Sequence, residues 1–231
     1  MKAFILCGGE GTRLRPYTYT TPKPLLPVGG KPILLHLVEH LKKHGITEFV
    51  LTVGYLKEKI MDYFGDGKKF GVRIEYSTED TPKNTAGSIR DYRGKVKETF
   101  VVLMGDHITD INLAGIIESH KKSKAIATVA LLKKETKIEY GVAEIDRKTG
   151  RITEFSEKPV IEHDINTGIY IFEPQIFDFI EDKDDFAKQV FPRLLKSGKP
   201  INAYVTEFEW LDIGRIADYE RVKEEWKKKD Q

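Results

Sequence analysis

The alternation of short apolar runs with amphipathic stretches is what most limits the folds open to this chain. KAFILC (residues 2–7), EFVLTV (48–53), VRIEYS (72–77), TFVVLM (99–104) and AIATVALL (125–132) read as strands. Between them PILLHLVEHLKKHG (32–45), YLKEKIMDYF (55–64) and NLAGIIESHKK (112–122) repeat apolar residues at helical spacing. Strands that alternate with helices need right-handed crossovers. The predicted core is therefore α/β: a three-layer, Rossmann-like arrangement in which helices cover both faces of a mixed, mainly parallel sheet.

After residue 135 the texture changes. YGVAEID (140–146), RITEFSE (151–157) and TGIYIFE (167–173) are short alternating segments with a turn at Lys148-Thr149-Gly150, and they predict a smaller antiparallel layer. A helix (FAKQVFPRLLKSG), a strand (INAYVT), the fragment EFEWLDIG and a charged helix from Ile216 to Lys229 follow. No repeat or Pro-Gly linker interrupts the run, so residues 1–231 are expected to form one domain.

Charge narrows the partners. The 38 basic and 36 acidic residues leave a formal +2, which gives no field to draw a polyanion and argues against nucleic acid. No run approaches the roughly 20 apolar residues a bilayer requires, and Met1-Lys2 passes directly into a strand with no cleavage site, so a cytoplasmic protein without a membrane partner is expected. Cys7 is the single cysteine, which rules out an internal disulfide and fits a reducing compartment.

Ligands of open parallel sheets bind beyond the carboxyl ends of the strands. Three such ends carry chemistry. After KAFILC, the glycines Gly8, Gly9 and Gly11 form either a plain turn or a nest whose N–H groups bind phosphate oxygens. Arg13 adds a fork of donors and Lys23, stiffened between Pro22 and Pro24, a point charge, which favours the phosphate reading. The spacing is neither the dinucleotide fingerprint, since Leu14 stands where a glycine belongs, nor a P-loop. Asp106 and Asp212, each at a strand end, are turn formers when taken singly. If they border one crevice they can hold Mg²⁺, a hard cation that takes one or two carboxylates plus phosphate oxygens. In FSEKP and NTG, Glu157 and Asn166 can grip vicinal hydroxyls and Lys158 can neutralise a monophosphate. His36, His40 and His44 share one face of a helix that also carries Leu34, Leu37, Val38 and Leu41, with no acidic or cysteine ligand beside the set, so they are read as structural; His107 could line the site beside Asp106.

Taken together, GGEGTRLRP, TPKPLLPVGGKPIL, NTAGSI, Gly105-Asp106, YGV (140–142), EKP (157–159), NTG (166–168) and WLDIG (210–214) resemble the sugar-1-phosphate nucleotidyltransferases, in the family's order and over nearly the whole chain. The resemblance implies a GT-A-like nucleotidyltransferase fold and transfer of a nucleotidyl group from an NTP to a sugar 1-phosphate. It implies that Gly8, Gly9, Gly11, Thr12, Arg13 and Lys23 cradle the triphosphate and that Asp106 and Asp212 hold Mg²⁺. Glu79, Thr85 and Gly87 would lie near base and ribose; Gly141, Glu157 and Asn166 would contact the sugar, and Lys158 its phosphate. KPILLH, AKQVFP and EWLDIG are closest to the mannose-1-phosphate guanylyltransferase branch, which uses GTP; thymidylyl- and uridylyltransferases, using dTTP or UTP with glucose 1-phosphate, share most of the other marks. The family usually has Gly where this chain has Asn84, and asparagine tolerates the left-handed backbone that glycine would provide there. A C-terminal β-helix is not expected, and a homo-oligomer is compatible with these residues. Two other readings are a catalytically silent homologue that only binds nucleotide-sugar and a glycosyltransferase. The latter would usually carry Asp-x-Asp where this chain reads Asp106-His107-Ile108.

Overall fold

In the computed structural model, which describes residues 1–229, the chain runs through β1 (Lys2–Cys7), β2 (Pro27–Val28), β3 (Lys31–Pro32), β4 (Glu48–Val53), β5 (Arg73–Thr78), β6 (Phe100–Met104) and β7 (His107–Thr109). It continues through β8 (Ala127–Lys137), β9 (Val142–Asp146), β10 (Arg151–Ser156), β11 (Val160–Phe172), β12 (Ile201–Val205) and β13 (Trp210–Asp212). The helices are α1 (Ile33–Lys43), α2 (Lys57–Phe64), α3 (Asn84–Gly87), α4 (Leu113–Ser123), α5 (Phe191–Lys196) and α6 (Ile216–Lys229). None of the described helices is long and apolar enough to cross a membrane.

The main sheet has the order β12-β8-β11-β6-β1-β4-β5. All neighbours run parallel except β11, which is antiparallel to both β6 and β8. Strand β1 is apolar along its length because it lies between β4 and β6 with a core on each face. Ile5 and Cys7 join the cluster under α1, α2 and α4, whereas Phe4 packs with Tyr92, Phe100 and the rings on the opposite side.

The predicted small layer is only partly observed. YGVAEID and RITEFSE form the β9–β10 hairpin, but TGIYIFE belongs to the far half of β11 and fills the gap between β6 and β8. The reason is burial on both faces: Ile169 and Ile171 enter one core, Tyr170 and Phe172 the other. A register shift between Asn166 and Tyr170 separates this half from the outer arm that β11 makes with β8. Such bulges re-aim a strand next to sites of function.

A third cluster fixes the site. Leu14 from the glycine loop, Val28, Ile33, Ile108 of β7, Ile213 after β13, and Tyr219 and Val222 of α6 pack together. Tyr219 also donates its hydroxyl to the Pro27 carbonyl (2.9 Å). Truncating Leu14 to alanine removes a fully buried side chain that ties the loop to α6. The expected loss is about 2–5 kcal/mol of unfolding free energy, measured by urea denaturation.

Candidate active site

The carboxyl ends of β1 and β6 open into two adjoining cavities of about 280 and 500 Å³, and Leu6, Gly9, Gly11, Thr12 and Asp106 line both. The smaller adds Arg13, Lys23 and Gly214; the larger adds Gly8, Glu79, Thr52, Thr85, Ser88 and Asp185. The glycine loop is held from behind. Gly11 has φ +63°, a left-handed conformation that glycine adopts at no steric cost, and its carbonyl accepts from the Thr18 hydroxyl (2.8 Å) and the Leu14 N–H (2.9 Å). Tyr55 in turn donates its hydroxyl to the Thr18 carbonyl at 2.9 Å.

Gly105 brings the acid next to this loop. A Cβ there would lie 2.4 Å from the Cys7 sulfur and 3.0 Å from the Leu6 carbonyl, so only glycine lets the end of β6 close on β1. Asp106 is thereby set beside the loop, 31% exposed, with its carboxylate paired to the ammonium of the buried Lys23. Strand β13 pairs antiparallel with β7, placing Asp212 opposite His107, and Lys23 lies 4.0 Å from Asp212 as well. Ligand atoms of Asp106, His107 and Asp212 all fall within 4.8 Å of one another. Arg13 reaches the same spot, its Nη2 lying near Gly214 beside the Asp212 carboxylate.

Electrostatics follow from this crowding. Burial alone would raise the Asp106 carboxyl, but the His107 ring and the Lys23 ammonium outweigh it and hold the group below the usual carboxylate range. The hydrogen bond from His107, against burial and with Lys23 and Arg13 nearby, does the same for Asp212. Both are ionised at neutral pH. Burial, helped by the negative Asp106, pushes the Cys7 thiol far upward, so it is no nucleophile.

His107 proves more involved than its sequence position suggests. The Trp210 indole N–H donates to its Nδ1 (3.2 Å) and to the Thr167 carbonyl (3.0 Å). With Nδ1 accepting, the ring N–H is on Nε2, which faces Asp106 (3.4 Å) and Asp212 (3.5 Å). The ring is a strap across two carboxylates. The other histidines of interest are structural: His36 and His40 meet the carbonyls of Val28 (2.8 Å) and Ile111 (2.9 Å).

Around the larger cavity, Glu79 places Oε2 on the Lys83 N–H (3.1 Å), while its Oε1 is buried without a partner. Burial raises its pKa, with the Lys83 N–H partly offsetting that. Asn84 does adopt the left-handed backbone, φ +58°, and its amide donates to the Lys183 carbonyl (2.6 Å). Thr85 spends its hydroxyl on Asp185 (3.0 Å) and on the Phe186 N–H (2.9 Å). Gly87 lies behind the cavity, its N–H on the Asp184 carbonyl (3.0 Å), and is not among the lining residues.

The sugar-side residues are less gathered. Asn166 comes in with the β11 bulge: its Oδ1 accepts from the Gly168 N–H (3.0 Å), its amide donates to Tyr170 (2.9 Å), and Gly168 lies against Met104 and His107. Gly141 and Glu157 face each other on the arm, where a Cβ at 141 would be 2.8 Å from Glu157 Oε2, and Lys158 follows with φ +48°. Neither these three nor Asn166 lines the two cavities. Sequence reasoning missed Asp185, Trp210 and Gly214 as neighbours of the site. Asp185 also caps the turn that follows it, accepting from the Ala187 and Lys188 N–H groups.

The chain belongs to the Nucleotidyl transferase family, which it matches over residues 2–229. A protein named UTP--glucose-1-phosphate uridylyltransferase from Synechocystis sp. is 41% identical, over 95% of this chain and 61% of its own length. Mannose-1-phosphate guanyltransferase beta-B of Xenopus laevis is 38% identical, over 95% of this chain and 62% of its own. This chain thus spans a little over three-fifths of these relatives. Among solved structures, HddC from Yersinia pseudotuberculosis complexed with GMP-PN superposes with a TM-score of 0.76 at 26% identity, covering 97% of this chain and 99% of that one. The expected GT-A-like α/β architecture is the one observed.

Proposed function

We propose that this chain transfers a nucleotidyl group from an NTP to a sugar 1-phosphate, releasing pyrophosphate, with GTP and mannose 1-phosphate as the preferred pair. The observation that carries the reading is the convergence of the glycine loop, Arg13, Lys23 and the Asp106–Asp212 pair at the ends of β1 and β6. The reaction needs no protein nucleophile. A phosphate oxygen of the sugar phosphate bonds to the α-phosphorus, the bond from that phosphorus to the bridging oxygen breaks, and pyrophosphate departs with the electron pair. What the protein must supply is position and charge neutralisation. Loop N–H groups and the Arg13 fork orient the β- and γ-phosphates, and Lys23 lies where charge builds between α- and β-phosphorus. Two ionised carboxylates with converging oxygens are the donor set that suits Mg²⁺. Asp106 and Asp212 would hold that ion, which when bound neutralises charge on the phosphate oxygens. Glu157, Lys158 and Asn166 are the proposed sugar-phosphate contacts.

Guanine is favoured by Glu79. A carboxylate with a buried free oxygen accepts from the adjacent N1–H and N2–H₂ donors of guanine, whereas uracil and thymine flank their single N3–H with two carbonyl oxygens that it repels. The relatives' names divide between guanylyl and uridylyl transfer, so glucose 1-phosphate with UTP or dTTP is the competing pair. Pyrophosphate release from four NTPs against glucose-, mannose-, galactose- and N-acetylglucosamine-1-phosphates, with Mg²⁺, tests this. GTP with mannose 1-phosphate should turn over fastest; release from no pair would refute the activity.

A further inference from the structure

The two carboxylates proposed for Mg²⁺ come from different parts of the chain, and something must fix the distance between them. Pairing of β7 with β13 sets Asp212 directly opposite His107, and Trp210 lies on the same face of β13 as Asp212 because side chains alternate along a strand. Two ionised carboxylates whose oxygens come within 4.8 Å repel each other. Lys23 and His107 oppose that repulsion in different ways. Lys23 is lopsided: it pairs with Asp106 and lies 4.0 Å from Asp212. His107 is even-handed, its Nε2 lying 3.4 Å from Oδ1 of Asp106 and 3.5 Å from Oδ1 of Asp212. A ring that meets both acids at nearly one distance sets their separation.

The ring is itself clamped. Besides donating to Nδ1 and to the Thr167 carbonyl, Trp210 meets the imidazole edge to face, with centroids 5.1 Å apart. Thr167 is fully buried and donates its hydroxyl to the Ala130 carbonyl (2.8 Å), so the indole hangs from the core of the main sheet. From the β11 bulge Gly168, at φ +75°, comes so near that a Cβ would stand 3.4 Å from His107 Cε1 and 2.7 Å from Met104 Cγ. With Trp210 donating to Nδ1, Nε2 bears the ring N–H and offers no lone pair to a cation. A carboxylate has about four lone-pair sites, so one such contact leaves the others open to a metal. We infer that His107 is a positioning residue for the metal pair and not a ligand: it holds Asp106 and Asp212 at the spacing a divalent cation needs, and Trp210 acts through it. The inference deepens the proposed activity and rests on its assignment of the metal to these two acids.

The test titrates Mn²⁺ alone, which suits the same carboxylate and water ligands as Mg²⁺, into the full chain and follows it by electron paramagnetic resonance, with no substrate present. His107→Phe fills the ring's place without a donor. His107→Gln keeps an NH₂ group as many bonds from Cβ as Nε2, and Trp210→Phe keeps the packing but loses the indole N–H. The Mn²⁺ dissociation constant should rise about 10- to 100-fold in His107→Phe, the range for losing a partner that orients metal ligands, and stay close to wild type in His107→Gln. Trp210→Phe should weaken binding by itself and add nothing in the His107→Phe background. Bound Mn²⁺ should show no nitrogen hyperfine coupling. Should His107→Phe melt early, Trp210→Phe carries the same expectation of weakened binding. Unchanged affinity in His107→Phe, an equal loss in His107→Gln, a Trp210→Phe loss that adds to it, or no Mn²⁺ binding by wild type overturns the inference. A nitrogen coupling that His107→Phe abolishes overturns it in favour of direct ligation. Failure of the activity reads differently: wild type releases pyrophosphate from no pair, while the pattern of Mn²⁺ affinities holds.

Discussion

Replacing Asp106 by alanine is expected to lower kcat by at least about a hundredfold and to leave the fold standing, and Arg13→Ala should do the same. The size follows from the role. Losing one preorganised charge aimed at a developing transition-state charge costs about 2.7 kcal/mol or more. Asp106 faces Lys23, His107 and Asp212 together, so its removal unbalances the whole cluster. The fold survives because its anchors are elsewhere: Leu14, Ile108 and Ile213 hold the loop, β7 and the segment after β13 from below, and Lys23 keeps Asp212 at 4.0 Å. Asp106→Asn separates the contributions, since the amide keeps an acceptor for Lys23 but loses the charge; it should be nearly as slow as the alanine variant. Pyrophosphate release alongside thermal melting decides the matter. Near-normal turnover in both alanine variants would remove the charge cluster from the mechanism.

Much of this arrangement could be read from the residues, and the limits of that reading have physical causes. Strands β1, β4, β5, β6 and β8 were legible because apolar runs bounded by polar turns mean burial, and α1, α2 and α4 because apolar residues recur at helical spacing. Gly, Arg and Lys directly after a buried strand favoured an anion site over a plain turn, and Gly9, Gly11, Arg13 and Lys23 do line one cavity. The placement of TGIYIFE did not follow, because alternating residues describe a strand with two different faces whether both faces are protein or one is water. Pairing of β7 with β13 is the step that joins Asp106 to Asp212, and nothing local to either segment encodes a partner about a hundred residues away. His107 was undervalued for the same reason. Its importance comes from the Trp210 N–H that fixes its free nitrogen, a contact between residues 103 apart in sequence.

Exchanging Glu79 for glutamine should alter which base the enzyme accepts more than how fast it works. On the proposed reading, the charged carboxylate of the wild type would meet two guanine donors. With glutamine one of these faces an NH₂ group and goes unsatisfied, at about 1–3 kcal/mol in a buried setting. The proposed GTP preference, as a ratio of kcat/KM over UTP or dTTP, should therefore fall about 10- to 100-fold, partly because an amide matches the donor–acceptor edge of a pyrimidine. Acidity gives an independent check. Burial raises the Glu79 pKa, so protonation sets in at higher pH than for an ordinary glutamate. KM for GTP should rise in wild type as pH falls into that range, and the rise should vanish in Glu79→Gln. The sign for the ligand-free protein is opposite. A carboxyl whose folded pKa lies above its unfolded value adds stability at low pH that is lost as pH rises through the folded pKa. At neutral pH the buried charge is thus a burden, and the glutamine variant should melt higher than wild type without ligand, a difference that shrinks on acidification. An unaltered base ratio together with an unaltered pH profile would place the base against some other part of the cavity wall, with Ser88 and Asp185 the next side chains to vary.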